Sequence, residues 1–273
     1  MSPKSGIVNG VDGHTRLYWE ATGRGDPVLL VHGLGLSGGA WWRTVDALTP
    51  RMRVITFDHR GIGRSQSLTY SYTTEAMADD AVAILDELKL ERVHIYGFSL
   101  GGMVAQQIAL RHPPRVRSLV LGATHPGGRR AAPPDAEVMA FIRRRGAVPS
   151  EEAAWASVPY NYGPRSRVEH VDRIADDIDR RLENPFNERA YRAQLLAASM
   201  HNCFSRLERI DAPTLVVHGA RDRMIPVANA RMTAERIPGA RLKVLEDAGH
   251  LYPTEEPGVD ESIGEFFAAH THA

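Results

Sequence analysis

The stretch that most limits what this chain can fold into is Tyr96-Gly97-Phe98-Ser99-Leu100-Gly101-Gly102. Before it stands Val93-His94-Ile95, a short apolar β-type run. After it comes Met103-Val104-Ala105-Gln106-Gln107-Ile108-Ala109-Leu110, which reads as a buried helix stopped near Pro113-Pro114. A serine spaced G-x-S-x-G on a direct passage from strand to helix requires a very sharp turn, with strained backbone at the serine. Gly97 and Gly101 suit it because a Cβ at either place would collide with the neighbouring strand or helix. The turn lifts the Ser99 hydroxyl above a sheet edge. It also aims the first free N–H groups of the helix, Leu100 foremost, at whatever that hydroxyl attacks.

The same strand-then-helix unit recurs along the chain. Ile7-Val8-Asn9-Gly10 and Thr15-Arg16-Leu17-Tyr18-Trp19-Glu20 flank a turn at Asp12-Gly13 and read as an antiparallel edge hairpin. Pro27-Val28-Leu29-Leu30-Val31, Val54-Ile55-Thr56-Phe57, Val116-Arg117-Ser118-Leu119-Val120-Leu121, Pro213-Thr214-Leu215-Val216-Val217-His218-Gly219 and Arg241-Leu242-Lys243-Val244-Leu245-Glu246 read as further strands. Several are unbroken apolar runs, as expected of strands covered on both faces. Helices are expected through Trp41, Trp42, Val45 and Leu48, from Thr74 through Leu88, over 227–237 and over 255–269. Such alternation predicts an α/β fold with a mostly parallel sheet flanked by helices.

Between 126 and 205 the alternation stops, and no good strand is found. Asp135 can cap a helix with Val138, Phe141 and Ile142 on one face, and Pro149, Pro159, Pro164 and Pro185 punctuate shorter ones. The expected organisation is a core of residues 1–125 and 206–273 with a helical cap, 126–205, over the carboxyl edge of the sheet, where open parallel sheets bind ligands.

A serine hydroxyl is a poor nucleophile unless a base lies within hydrogen-bond reach and an acid orients that base. Asp222, in Gly219-Ala220-Arg221-Asp222-Arg223, and His250, in Asp247-Ala248-Gly249-His250, both follow strand ends on the edge that carries Ser99. Asp247 is the rival acid, but lying three residues from His250 it suits a loop-capping carboxylate better.

Composition removes other classes of function. The formal net charge is +0, so no long-range field favours nucleic acid or an anionic membrane. Cys203 is the only cysteine, which excludes an intrachain disulfide and a cysteine metal cluster. Neither a phosphate-cradling G-x-x-x-x-G-K-[ST] loop nor a dinucleotide fingerprint is present. Met1-Ser2-Pro3-Lys4-Ser5-Gly6 lacks an apolar stretch after its charge, and no apolar run approaches membrane-spanning length. The expectation is a cytoplasmic enzyme with a small-molecule acyl substrate, using no cofactor and no metal and binding neither nucleic acid nor membrane.

With these blocks in hand the chain resembles the α/β-hydrolase family over nearly its whole length. His32-Gly33-Leu34-Gly35 is similar to the family's oxyanion loop, which implies the backbone N–H groups of Leu34 and Leu100 as oxyanion donors. Asp58-His59-Arg60-Gly61-Ile62-Gly63-Arg64-Ser65 resembles the D-x-R-G-x-G-x-S turn of its small-molecule branch. The Ser99, Asp222 and His250 blocks match in the order the family uses. The resemblance implies an eight-stranded sheet and a serine hydrolase cleaving a small or medium carboxylic ester, a lactone or a thioester. It leaves a carbon–carbon bond hydrolase, a cofactor-free haloperoxidase and a ligand receptor as alternatives. Relatives with Asp at the nucleophile are set aside by Ser99.

His125, Trp155 and Tyr160 are expected to border the substrate pocket, with Trp41, Trp42, Met139, Phe141, Tyr162 and Met200 as further apolar candidates. The run Arg143-Arg144-Arg145 reads as the solvated face of a helix, and His32 and His59 as loop-fixing residues.

Overall fold

The computed structural model describes residues 3–145, 150–183 and 186–271. Eight strands form one sheet: β1 (Lys4–Asn9), β2 (Arg16–Gly23), β3 (Asp26–Val31), β4 (Met52–Phe57), β5 (Val93–Phe98), β6 (Val116–Gly122), β7 (Thr214–Gly219) and β8 (Arg241–Leu245). Their spatial order is β1-β2-β4-β3-β5-β6-β7-β8. The hairpin β1–β2 sits at one edge, β2 pairs antiparallel with β4, and every other pairing is parallel. Strand order reverses around β3, so the crevice for a ligand opens beyond the ends of β3 and β5.

Six helices flank the sheet: α1 (Trp42–Leu48), α2 (Thr74–Glu87), α3 (Leu100–Arg111), α10 (Ala228–Arg236), α11 (Tyr252–Glu255) and α12 (Val259–Ala268). Alternate strand residues serve opposite faces. Leu29, Ile95, Leu119 and Val216 pack with Met77, Ile84, Val104 and Ile108 of α2 and α3. Val28, Tyr96, Val120 and Val217 pack with Leu48, Ile263 and Phe267 of α1 and α12. Both faces are therefore dry, which is why the strands read as unbroken apolar runs. The closing helix expected over 255–269 is α12, which begins at Val259, with the separate short helix α11 before it. Pro257 removes an amide donor and Gly258 turns to φ +93, so the chain stops after α11 and restarts as α12.

Between β6 and β7 run α4 (Ala136–Arg144), α5 (Ser150–Ala156), α6 (Val158–Asn161), α7 (Ser166–Glu169), α8 (Val171–Leu182) and α9 (Glu188–Met200). No named strand falls there among the described residues, and an isolated bridge, Gly127 with Asn202, ties its two ends together. Asp135 caps α4 as expected, accepting the Val138 N–H at 2.9 Å. Ile174 and Ile178 of α8 pack with Ala154 and Tyr162 in a small core of their own. The expected breaks at Pro149 and Pro185 lie outside the described residues.

Candidate active site

Ser99 stands between β5 and α3 with φ +56 and ψ −121, a conformation that costs an L-residue on the order of 1–3 kcal/mol and persists only where its neighbours dictate it. They do so here. The Ser99 N–H donates to the Gly122 carbonyl at 2.9 Å, and its own carbonyl accepts the Thr124 hydroxyl at 2.8 Å and the Gly102 N–H at 2.9 Å. A Cβ on Gly101 would strike the Val31 carbonyl of β3, and one on Gly97 would strike the Gly101 carbonyl and Ala105. The two glycines of the motif are thus a steric requirement of this turn.

Asp222 and His250 come from the loops after β7 and β8, which lie against each other. Arg221 N–H donates to the Ala248 carbonyl at 2.8 Å, and a side chain on Gly219 would meet the Ala248 and Gly249 carbonyls. The result is a hydrogen-bonded line. His250 Nε2 lies 3.1 Å from Ser99 Oγ, and His250 Nδ1 lies 2.8 Å from Asp222 Oδ2. The other Asp222 oxygen accepts the Ile225 N–H at 2.8 Å. Burial alone would raise the Asp222 carboxyl, but His250 and His218 beside it outweigh that and hold it down to about 2. It is therefore an anion at neutral pH, aligned to fix the proton of His250 on Nδ1. Asp247 is not part of this line. Its half-exposed carboxylate faces Arg165 at 3.4 Å.

The loop His32-Gly33-Leu34-Gly35 follows β3 alongside. The Gly33 N–H donates to His32 Nδ1 at 2.7 Å, and His59 Nε2 lies 3.2 Å from the His32 carbonyl, so both histidines brace the loop. The N–H groups of Leu34 and of Leu100, at the first position of α3, have no protein acceptor among the described residues. A cavity of about 70 Å³ opens above Ser99 and His250. Leu34, Phe141, Arg145, Arg181, Tyr191 and Met224 are among its walls.

Of the expected pocket residues Phe141 lines this cavity, and the following are placed otherwise. His125 turns to its own loop, its Nδ1 accepting the Gly127 N–H at 3.0 Å. Trp155 sits on the outer side of α5 with 46% of its surface exposed. Tyr160 stacks behind Phe141 at 4.9 Å and gives its hydroxyl to Glu137, so it touches the cavity wall from outside. Met200 is exposed and Tyr162 belongs to the small helical core, while Trp41 and Trp42 line an adjoining cavity. Arg143 and Arg144 are solvated as expected, but Arg145, at the end of the same run, turns into the cavity.

A sequence profile described as the alpha/beta hydrolase fold matches residues 26–257. The chain belongs to the α/β-hydrolase family. A putative carbamate hydrolase, RutD, of Variovorax paradoxus strain S110 is 34% identical over 259 residues, spanning 92% of this chain and 96% of that protein. A poly(3-hydroxyalkanoate) depolymerase of Ectopseudomonas oleovorans is 32% identical over 83% of this chain and 78% of its own. Among solved structures, a thermophilic esterase of Thermogutta terrifontis superposes with a TM-score of 0.83 at 30% identity, covering 99% of this chain and 100% of that one.

In this α/β-hydrolase four further residues shape the site without a sequence signature. His218, inside β7, directs Nε2 at the Ile225 carbonyl at 2.7 Å and at Asp222 Oδ2 at 3.2 Å. Glu255 accepts the N–H groups of Gly249 and Gly163, tying the His250 loop to the helices above it. Gln194, buried on α9, accepts the Gly35 N–H at 2.8 Å and so pins the loop after β3 from the helical side. Arg181, on α8, reaches the cavity from a position that reads as one more charge on a polar helix face. The only sequence cue for His218 and Gln194 was a polar residue within an apolar context.

Proposed function

We propose that this α/β-hydrolase is a serine hydrolase of a small or medium carboxylic ester, with lactones and thioesters as close variants. The observation that carries this reading is the line Ser99–His250–Asp222, set on a strained serine beneath a compact cavity. His250, neutral at Nε2, takes the Ser99 proton as Oγ attacks the carbonyl. The tetrahedral oxyanion is received by the Leu34 and Leu100 N–H groups, which are free for it. His250 then protonates the leaving alcohol, and a water activated by the same nitrogen releases the acid from the acyl-enzyme. No step calls for a metal or an organic cofactor. The helices between β6 and β7 act as the cap that walls the acyl site. A solved structure named as an esterase and a relative named as a poly(3-hydroxyalkanoate) depolymerase support this reading.

The test is a panel of p-nitrophenyl esters of rising acyl length, simple lactones and acyl thioesters, with an organophosphonate as active-site label. Turnover of short to medium esters and labelling at Ser99 are expected. Labelling without any ester turnover would move the assignment to carbon–carbon bond cleavage, and absence of both would leave a receptor.

A further inference from the structure

The cavity over Ser99 holds a charge arrangement that a neutral substrate does not use. Arg145 and Arg181 both line it, Arg145 from the end of the α4 run and Arg181 from α8. They also share the wall of an adjoining cavity of about 40 Å³, so their side chains converge at one place. Two other inward-reaching arginines each have a carboxylate: Arg60 has Asp80 at 2.6 Å, and Arg43 has Asp177 at 3.2 Å. Among the described residues, Arg181 has the Ser157 hydroxyl at 3.5 Å, and Arg145 has the face of Tyr191 at 5.4 Å. Neither is paired with a carboxylate among the described residues, and stretches 146–149 and 184–185 contain no acidic residue that could supply one. The α8 carboxylate one turn before Arg181, Asp177, is already engaged by Arg43, Tyr162 and Thr254.

Two guanidinium groups at one cavity wall, with no carboxylate partner among the described residues, are costly, because each is partly desolvated and each repels the other. We propose that Arg145 and Arg181 form a clamp for a free carboxylate carried by the substrate, so that this hydrolase acts on the mono-ester of a dicarboxylic acid or on an ester of a hydroxy acid. The proposal rests on the serine-hydrolase reading of the same site. The planar forks of two guanidinium groups match a carboxylate, which would neutralise their repulsion while its ester group lies over Ser99. Burial, and then the charge of Arg145, lower the Arg181 guanidinium to about 10, which leaves it a cation at neutral pH. Phe141 and Met224 line the same cavity and offer apolar wall against which a short carbon chain between the anion and the scissile carbonyl would pack.

Two measurements test this separately from the chemistry. In the first, calorimetry follows glutarate and its neutral diamide binding to Ser99→Ala, where no turnover occurs. Glutarate is expected to bind at least about tenfold tighter than the diamide, and Arg181→Met in the same background to abolish that difference. Equal binding of the two, or no binding of glutarate at millimolar concentration, would overturn the clamp. In the second, the wild-type protein is offered monomethyl glutarate, O-butanoylglycolate and neutral dimethyl glutarate. At least one anionic ester should exceed the neutral one in kcat/KM by about tenfold or more, through KM, and Arg181→Met should reduce the anionic rate about tenfold more than the neutral rate. Arg181→Lys, which keeps the charge, should restore part of the preference and guards against a misfolded Met variant. Glutarate binding with no ester turnover would leave the clamp standing and sink the serine-hydrolase reading. Turnover of the neutral ester without anion preference would do the reverse.

Discussion

The sheet and the helices that lie over it meet at Ser99, and they are built on different rules. On the sheet side, the groups at the site are placed chiefly by main chain, with side chains such as Thr124 and Glu255 bracing it. Ser99 is held by Gly122 and Gly102, the two glycines have no room for a Cβ, and the loops of Asp222 and His250 are joined amide to carbonyl. On the helical side the cavity is walled by the side chains of Phe141, Arg145, Arg181 and Tyr191, which can change without breaking a hydrogen bond between two main-chain groups. The lesson is a division of labour. Chemistry is fixed by steric necessity at a few backbone positions, whereas selectivity is written in side chains on a scaffold that tolerates substitution.

The division is broken most directly at Ser99. Ser99→Ala is expected to lower kcat on the order of a million-fold. Its melting temperature should stay within a few degrees of the wild type, since only one hydroxyl in a cavity is lost. Residual turnover of a few per cent from clean protein would remove Ser99 from the mechanism. Next in size, Asp222→Asn should cost about ten-thousand-fold, because His250 loses the acceptor that fixes its tautomer. Asp247→Asn should stay within a few-fold, its carboxylate being engaged with exposed Arg165. If the two mutants exchange ranks, the acid has been misassigned.

A change of pH sharpens the same comparison through stability. Burial holds His59, His94 and His125 down to about 4, and His32 and His201 to about 3. Four of these lie on sheet strands or the loops that leave them, and His201 closes the helical stretch. Each is depressed relative to the roughly 6.5 of an unfolded chain. Between about pH 6.5 and pH 4 the unfolded chain therefore binds protons that the folded one refuses. The stability is fully present above about 6.5 and is lost as pH falls, by up to about 1.4 kcal/mol per pH unit for each histidine. Asp222 adds a smaller loss only as pH falls below 4 toward 2. The melting temperature should drop clearly between pH 7 and pH 5, with net proton uptake on unfolding. A flat profile over that range would mean that these histidines are charged in the fold.

This asymmetry also decides what could be read from the sequence. The strands, the elbow, and the Asp222 and His250 loops were legible because each follows from a local requirement: an apolar run, a glycine without room, a polar turn after a strand. Spacing favours Asp222 over Asp247, and the hydrogen bond of 2.8 Å to His250 joins Asp222. The cavity walls were not legible. Trp155 looked like a pocket aromatic, yet it occupies the outer side of a short helix, and Arg145 looked solvated, yet it turns inward. Helical periodicity tells which residues share a face but not which face meets the cavity when six short helices stack. Glu255 and Gln194 act across 92 and 159 residues of sequence, a pairing no local pattern announces.

The smallest expected effect tests the helical side alone. Phe141 is buried between the cavity and Tyr160, whereas Trp155 is nearly half exposed, although both are large aromatics in the same stretch. Phe141→Leu removes part of a ring that faces the acyl site and leaves the fold of α4, capped by Asp135, in place. It should shift the preferred acyl length upward, raising kcat/KM for the longer ester relative to the shorter by about tenfold, the low end of what a methylene's worth of pocket space achieves. Its melting temperature should fall by only a few degrees, since one large-to-smaller swap at a cap wall leaves the sheet core untouched. Trp155→Ala, by the same reasoning, should leave the length preference unchanged. If Trp155→Ala moved selectivity and Phe141→Leu did not, the cavity over Ser99 would not be where the acyl chain goes, and the helices would have to present a different face to the substrate.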